Sequence, residues 1–171
     1  HSGKGSTFVI EADEYDRMFL GLKPVIEVVT NVEYDHPDCY PTPADFQAAF
    51  LEFIRLLPVN GSLVAFVEDA GAQLLYREAK KNDLKVFAYG LSSMTEDGSI
   101  QMDSYCTNLS SHKNAGFSFD ANINGESVHL TLHVPGKHNV LNALAVLTVV
   151  NILGLPLPAA ANALEQFTGT G

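Results

Sequence analysis

The stretch VIEVVTNVEYDHPD (25–38) decides the fold class, because it joins a short apolar run directly to a dense group of acidic residues. Its first part, VIEVVT (25–30), lacks the strict alternation of a strand with one solvent-exposed face. Similar runs occur at 8–10 (FVI), 63–67 (LVAFV) and 86–89 (VFAY). Continuous apolar runs of this length indicate strands that are buried on both faces, as in a parallel sheet.

Helical segments separate several of these strands. The clearest is predicted over 43–57, since Thr42 is a suitable N-cap, Pro43 suits the first helical position and Asp45 favours the positive end of the helix dipole. Pro58 would stop this helix. Three further helices are predicted, over 69–81, 138–153 and 158–166.

The stretch 115–134 follows a different pattern, in which apolar and polar residues alternate on both sides of Asn124-Gly125. An Asn-Gly pair between alternating runs is the strongest short-range signal for a β-hairpin. Residues 99–110 could add a third strand. The predicted fold is therefore α/β, with a mainly parallel sheet flanked by helices and a small antiparallel β annex.

Composition restricts the functional classes. The chain has 171 residues, enough for a single domain over 1–171, and it has two cysteines without a CxxC pair, which favours a reducing, cytoplasmic location. No apolar run approaches the roughly 20 residues of a membrane span, so no membrane partner is expected. The net charge of −10 repels a phosphate backbone, so we expect no nucleic-acid partner.

Acidic side chains follow two of the predicted strands. EADEYD (11–16) comes after the run 8–10, and NVEYDHPD (31–38) comes after the run 25–30. Ligands of open α/β sheets bind outside the carboxyl ends of the strands, and crowded carboxylates there favour a hard cation such as Mg²⁺. The alternative is that they are solvated loop acids, with a helix cap among them. His36 by itself could equally indicate zinc.

A third polar group opens the predicted helix of PGKHNVLNALAVL (135–147). His138, Asn139 and Asn142 fall in its first turns, and an asparagine amide can both donate to and accept from an adenine edge. The alternative is an ordinary helix with a polar first turn. The sequence contains no GxxxxGK[ST] phosphate loop; the stretch 3–6 (GKGS) is only faintly similar and is interpreted as a loop.

Three motifs in this order resemble the middle domain of the Mur ligases: EADEYDRMFLGLKP (11–24), VVTNVEYDHPDCY (28–40) and PGKHNVLNALAVL (135–147). The second and third look most like the branch that joins L-alanine to UDP-N-acetylmuramate. In that family ATP phosphorylates a substrate carboxylate, and the amine of an amino acid attacks the acyl phosphate. The resemblance therefore implies ATP and Mg²⁺ as cofactors, and UDP-N-acetylmuramate and L-alanine as substrates of the intact enzyme.

The resemblance also implies roles for particular residues. Glu11 and His36 would be metal ligands, and Asn139 and Asn142 would contact adenine, with His138 beside the base. Four more residues would line the crevice: Asp13, Glu14, Asn31 and Asp35.

In relatives a phosphate loop precedes the first motif and an amino-acid-binding domain follows the third. We therefore expect the chain to be a fragment of the central domain that lacks those parts and is inactive by itself. Two alternatives stay open: the central domain of the related ligase that recycles murein tripeptide, and a nucleotide- or metal-binding module without catalytic activity.

Overall fold

The computed structural model describes residues 5–112 and 116–169. Within those residues six strands form one sheet, and they lie in the sheet in the order in which they occur along the chain. The strands are β1 (Ile26–Val29), β2 (Ser62–Phe66), β3 (Lys85–Gly90), β4 (Ser104–Ser111), β5 (Phe117–Ile123) and β6 (Glu126–Leu132). This confirms the predicted strands at 25–30, 63–67 and 86–89.

The direction of the strands divides the sheet into two parts. Strands β1 to β4 are parallel, whereas β4, β5 and β6 pair in antiparallel fashion. The predicted antiparallel annex is thus continuous with the parallel sheet. Two antiparallel steps give β6 the same direction as β1. The last two residues of β3 pair with the first two of β4, so β4 to β6 extend beyond the carboxyl ends of β1 to β3.

Four α-helices cover the sheet in the described part of the chain: α1 (Pro43–Ile54), α2 (Ala70–Lys81), α3 (Lys137–Ile152) and α4 (Leu157–Glu165). The predicted start of α1 is confirmed in detail, because Thr42 Oγ1 accepts from the Asp45 N–H at 3.2 Å and Asp45 Oδ2 accepts from the Thr42 N–H at 3.0 Å. These reciprocal bonds form a capping box. The helix ends at Ile54, three residues earlier than predicted.

The helices lie on both faces of the sheet. Leu63 and Ala65 of β2 pack with α1 and α2, whereas Val64 of the same strand packs in a second cluster with α3 and α4. Successive residues of a strand point to opposite faces, so the continuous apolar run of β2 is explained by helices on both sides.

The β5–β6 hairpin is confirmed at the predicted turn. Asn124 and Gly125 both have positive φ angles, of 48° and 88°, as a two-residue hairpin turn of type I′ requires. Alternate residues of both strands are buried under α3 and α4, including Phe119 and Leu130.

The predicted strand at 8–10 is wrong. Residues 7–14 belong to no strand or helix, and Phe8, Val9 and Ile10 are 84%, 87% and 55% exposed. A strand requires a neighbour that satisfies its backbone groups, and β1, the edge strand, pairs only with β2 among the described residues. Apolar composition alone was therefore insufficient to predict a strand at 8–10. Gly3 and Lys4 of the stretch 3–6 lie outside the described residues.

One buried acidic side chain departs from the apolar pattern of the core in the described part of the chain. Glu27 in β1 is 2% exposed, and neither of its carboxylate oxygens has a hydrogen-bond partner within residues 5–112 and 116–169. Burial raises its pKa from 4.5 to about 8. The segment 25–30 thus carries a carboxyl group that is neutral in most molecules at pH 7.

Among the described residues no helix combines the length and the apolar composition that a membrane crossing requires.

Candidate functional site

The two acidic segments lie side by side, although only one of them follows a strand. The Tyr15 hydroxyl donates to Asp38 Oδ2 at 3.0 Å, and the hydroxyl of Tyr40 donates to the backbone carbonyl of Glu14. His36 Nε2 lies 3.4 Å from Glu14 Oε1. Three contacts between residues more than 20 positions apart therefore bring the segment 11–16 against the loop that follows β1.

His36 is held in this loop by its backbone. Its φ of 56° is left-handed, which is uncommon for a residue with a side chain. Its N–H donates to Asp35 Oδ1 at 2.7 Å, and its carbonyl accepts from the N–H groups of Cys39 and Tyr40, both at 2.9 Å. The imidazole is half-buried and meets the ring of Tyr15 edge-on, with 5.3 Å between the ring centroids. The backbone of the loop therefore presents the imidazole to the segment 11–16.

The charge in this region is strongly negative. Segments 11–16 and 33–38 together carry seven carboxyl groups, and the nearby cation of Arg17 is paired with Glu52 at 3.2 Å. The hydrogen bond from Tyr15 lowers the pKa of Asp38, and the same bond raises the pKa of Tyr15 to about 12. Asp38 therefore stays ionised, and its charge adds to a region that attracts cations.

The remaining predicted residues of this region lie around the same loop and are exposed. Asp13 Oδ1 accepts from the Tyr15 N–H at 3.0 Å, so it shapes the turn before the 3₁₀ helix Tyr15–Gly21. Asn31 Oδ1 accepts from the Thr30 hydroxyl at 3.2 Å directly after β1. Asp35 Oδ2 lies 3.9 Å from His36 Nε2. Glu11 lies exposed, three residues before Glu14.

The carboxylates of this region could supply one or two of the oxygen ligands of a divalent cation. Among the described residues no group of three or more His, Cys, Asp or Glu side chains is arranged to hold a metal. Mg²⁺ is usually held by one or two protein groups, with waters and substrate phosphates completing its shell. The exposed carboxylates of the two acidic segments are ligands of that kind, whereas the described residues form no closed four-ligand zinc site.

The third predicted group opens α3. The His138 ring folds back against Gly136, and the Asn139 amide donates to the Pro135 carbonyl at 2.6 Å and lies 3.2 Å from His138 Nε2. Asn142 is exposed one turn further along the helix. The amide of Asn139 is thus already bonded on one side, whereas Asn142 is free to face a ligand.

The acidic loops and the start of α3 follow strands that run in the same direction but lie on opposite sides of the sheet, and β6 ends beyond the carboxyl ends of β1 to β3. β1 and β6 are the two edge strands, about 24 Å apart at the usual strand spacing. No hydrogen bond joins the two groups among the described residues. A ligand that touched both would have to extend along the strand ends.

The sequence did not point to three residues that organise the site. Tyr15 and Tyr40 link the two acidic segments, and Asp69 accepts from the Val32 N–H at 3.0 Å. A tyrosine that bonds across 23 or 26 residues leaves no local signal. Asp69 falls at the start of the predicted helix 69–81, so its position indicated a cap and not a second partner.

Comparisons with known proteins place this arrangement in a family. The model of the Mur ligase middle domain matches residues 2–150. The UDP-N-acetylmuramate–L-alanine ligase of Paenarthrobacter aurescens (strain TC1) is 42% identical over 168 residues, which are 98% of this chain and 34% of that protein. The chain thus spans about a third of the length of the curated relatives that it matches.

Two solved structures share the fold. The UDP-N-acetylmuramate–alanine ligase of Thermotoga maritima has a TM-score of 0.72 and 27% identity, with 93% of this chain and 33% of that chain covered. The UDP-N-acetylmuramate:L-alanyl-gamma-D-glutamyl-meso-diaminopimelate ligase of Neisseria meningitides has a TM-score of 0.75 and 27% identity, with 96% and 48% covered. The matched family model covers most of the chain and includes all three motifs completely. The chain therefore belongs to the Mur ligase family, as a middle domain.

Proposed function

We propose that the chain is the middle domain of an ATP-dependent ligase that joins L-alanine to UDP-N-acetylmuramate through an acyl phosphate. The contact between His36 and Glu14 carries the proposal, because it unites two of the three motifs in one acidic crevice. The 42% identity to a UDP-N-acetylmuramate–L-alanine ligase supports the choice of branch. The chain spans about a third of the length of that relative, so the proposal concerns the full-length protein.

In this proposal Glu11 and His36 hold Mg²⁺, which neutralises charge on the transferred phosphate. Glu14 lies against the imidazole and orients it, and Asp35 fixes the backbone of the loop through the His36 N–H. The surrounding carboxylates would repel a bare nucleotide, so their charge makes nucleotide binding depend on the cation. Asp13 and Asn31 shape the entrance of the crevice.

The start of α3 provides the proposed adenine contacts. Asn142 is exposed and offers both a donor and an acceptor, whereas the Asn139 amide donates to the Pro135 carbonyl. His138 lies beside Asn139, where its ring can flank the base. Because β1 and β6 are on opposite sides of the sheet, a nucleotide that reached both groups would extend across the strand ends. We propose a cytoplasmic location for the protein.

A second candidate is the ligase that recycles murein tripeptide. It is favoured by the structure from Neisseria meningitides, which matches as well as the alanine ligase does at the same 27% identity. The full-length protein discriminates between them: the proposal expects UDP-N-acetylmuramate-dependent phosphate release with L-alanine. Release with the tripeptide and none with L-alanine would support the second candidate, and no release with either would support a module without catalytic activity.

The metal site is tested by His36→Ala in the full-length protein. We expect the Mg²⁺ concentration for half-maximal activity to rise at least about ten-fold, because one of the proposed ligands is lost. The matched control is His133→Ala, which removes an exposed imidazole next to β6. An unchanged Mg²⁺ dependence in the His36 variant would remove this residue from the site.

A further inference from the structure

We propose that Asp69 is a positioning residue for the site, because its carboxylate fixes the start of the loop that carries Asn31, Asp35 and His36; the assignment rests on the proposed function. Asp69 does not itself belong to the acidic segments. It is the N-cap of α2 on the neighbouring connection, and it acts on the site through the backbone of Val32.

A single oxygen of Asp69 makes both of the relevant hydrogen bonds. Asp69 Oδ1 accepts from the Ala72 N–H at 2.8 Å, which caps the helix, and from the Val32 N–H at 3.0 Å. The second bond spans 37 residues and lies in a half-buried position. A backbone N–H that loses its acceptor in such a place costs more than an exposed one, because water replaces the acceptor poorly.

The packing next to Asp69 supports the same contact independently. A Cβ on Gly71 would lie 2.6 Å from the Val32 Cβ and 2.7 Å from the Val32 carbonyl oxygen. Real Cβ atoms do not approach backbone so closely, and only a glycine lets the first turn of α2 touch the loop. Both Asp69 and Gly71 are therefore adapted to hold Val32 against the helix.

The loop is thereby fixed at both of its ends. Val32 follows Asn31 directly, and its side chain packs against two of the hydrophobic clusters. At the other end Tyr40 is completely buried, and its hydroxyl bonds to Glu14. His36 lies between these two anchors, so the position of its imidazole beside Glu14 depends on both. Metal and catalytic groups require placement within about 0.5 Å, which a loop with one free end does not provide.

The variants separate the two bonds of Asp69. Asp69→Ser keeps a good helix cap, but its side chain is one atom shorter. We therefore expect it to lose the hydrogen bond from the Val32 N–H. Asp69→Asn keeps the carbonyl oxygen at the same place and is expected to retain both bonds. Gly71→Ala leaves Asp69 intact and pushes Val32 away. Thr42→Ala is the matched control, because it removes the cap of α1, which has no bond to Val32.

Two readouts are needed. In the full-length ligase we expect the Mg²⁺ concentration for half-maximal activity to rise roughly ten-fold in Asp69→Ser and in Gly71→Ala, and to stay near wild type in Asp69→Asn and Thr42→Ala. In the 171-residue chain, NMR should show roughly ten-fold faster exchange of the Val32 amide in Asp69→Ser, together with shifted resonances of the His36 imidazole.

The outcomes distinguish this inference from the proposed function. Unchanged His36 resonances in both Asp69→Ser and Gly71→Ala would overturn the positioning role, whatever the activity. Equal Mg²⁺ dependence of Asp69→Ser and Asp69→Asn would also overturn the positioning role. The capping of α2 alone would then explain the effect of Asp69 on activity. If His36→Ala leaves the Mg²⁺ dependence unchanged while Asp69→Ser still shifts the imidazole, the metal assignment fails and the positional link between Asp69 and His36 stands.

Discussion

Replacing Glu27 by glutamine is expected to remove most of the pH dependence that this buried carboxyl imposes on the stability of the domain. Glu27 is 2% exposed, both of its oxygens lack hydrogen-bond partners in the described part of the chain, and burial raises its pKa from 4.5 to about 8. Glutamine has nearly the same shape and carries no charge at any pH. The substitution therefore separates the free-energy cost of burying a charge from the effect of changing the side-chain volume.

The direction of this change in stability with pH follows from proton linkage. Between the two pKa values the folded state binds a proton that the unfolded state has released, so the free energy of unfolding falls as the pH rises from about 4.5 to about 8. At about 1.4 kcal/mol per pKa unit, the destabilisation is about 3 kcal/mol at pH 7 and about 5 kcal/mol above pH 8. These are large fractions of the 5–15 kcal/mol that is typical of a domain.

The assay is urea unfolding of the chain at about pH 5.5 and about pH 8.5, for wild type, Glu27→Gln and the exposed control Glu126→Gln. Other groups titrate in all three proteins, so the informative quantity is the difference between each variant and wild type. For Glu27→Gln this difference should change by about 3 kcal/mol in favour of the variant towards high pH. A difference that stays constant between the two pH values, as expected for Glu126→Gln, would refute the buried, unpaired state of Glu27.

Three further substitutions test the neighbourhood of the site and the hairpin. Tyr40→Phe keeps the buried ring but removes the hydroxyl that bonds to Glu14, and should lower the free energy of unfolding by about 1 kcal/mol in urea; no loss would mean that this hydroxyl does not link the two segments. Asp38→Asn should bring the pKa of Tyr15 down from about 12, measured by ultraviolet titration, and an unchanged midpoint would contradict the bond between them. Gly125→Ala should destabilise the domain by about 1 kcal/mol in thermal unfolding, because its φ of 88° is unfavourable for alanine; equal stability would argue against the type I′ turn.

Local signals were sufficient for most elements of the fold. The capping box of Thr42 and Asp45 placed the start of α1, and Asn124-Gly125 placed the hairpin, because each depends on atoms only a few residues apart. The predicted end of α1 was wrong by three residues, since the apolar pattern continues to Leu57 while the helix stops at Ile54. The failure at 8–10 has the opposite cause: the apolar pattern was present, but a strand also requires a partner strand, which no local pattern specifies.

For the candidate site, the sequence by itself determined which residue types are available: carboxylates and an imidazole after β1, and amides at the start of α3. Only the tertiary structure decided which of them meet. It brought His36 to Glu14, tied the two segments together through Tyr40, and gave Asp69 a second partner in Val32. It also showed that Glu27, within an apolar run, is buried with no hydrogen-bond partner among the residues that the structure describes. The physical reason is that residue type and spacing set local backbone preference and chemistry, whereas contacts across 20 or more residues depend on how strands and helices pack, which no short stretch of sequence encodes.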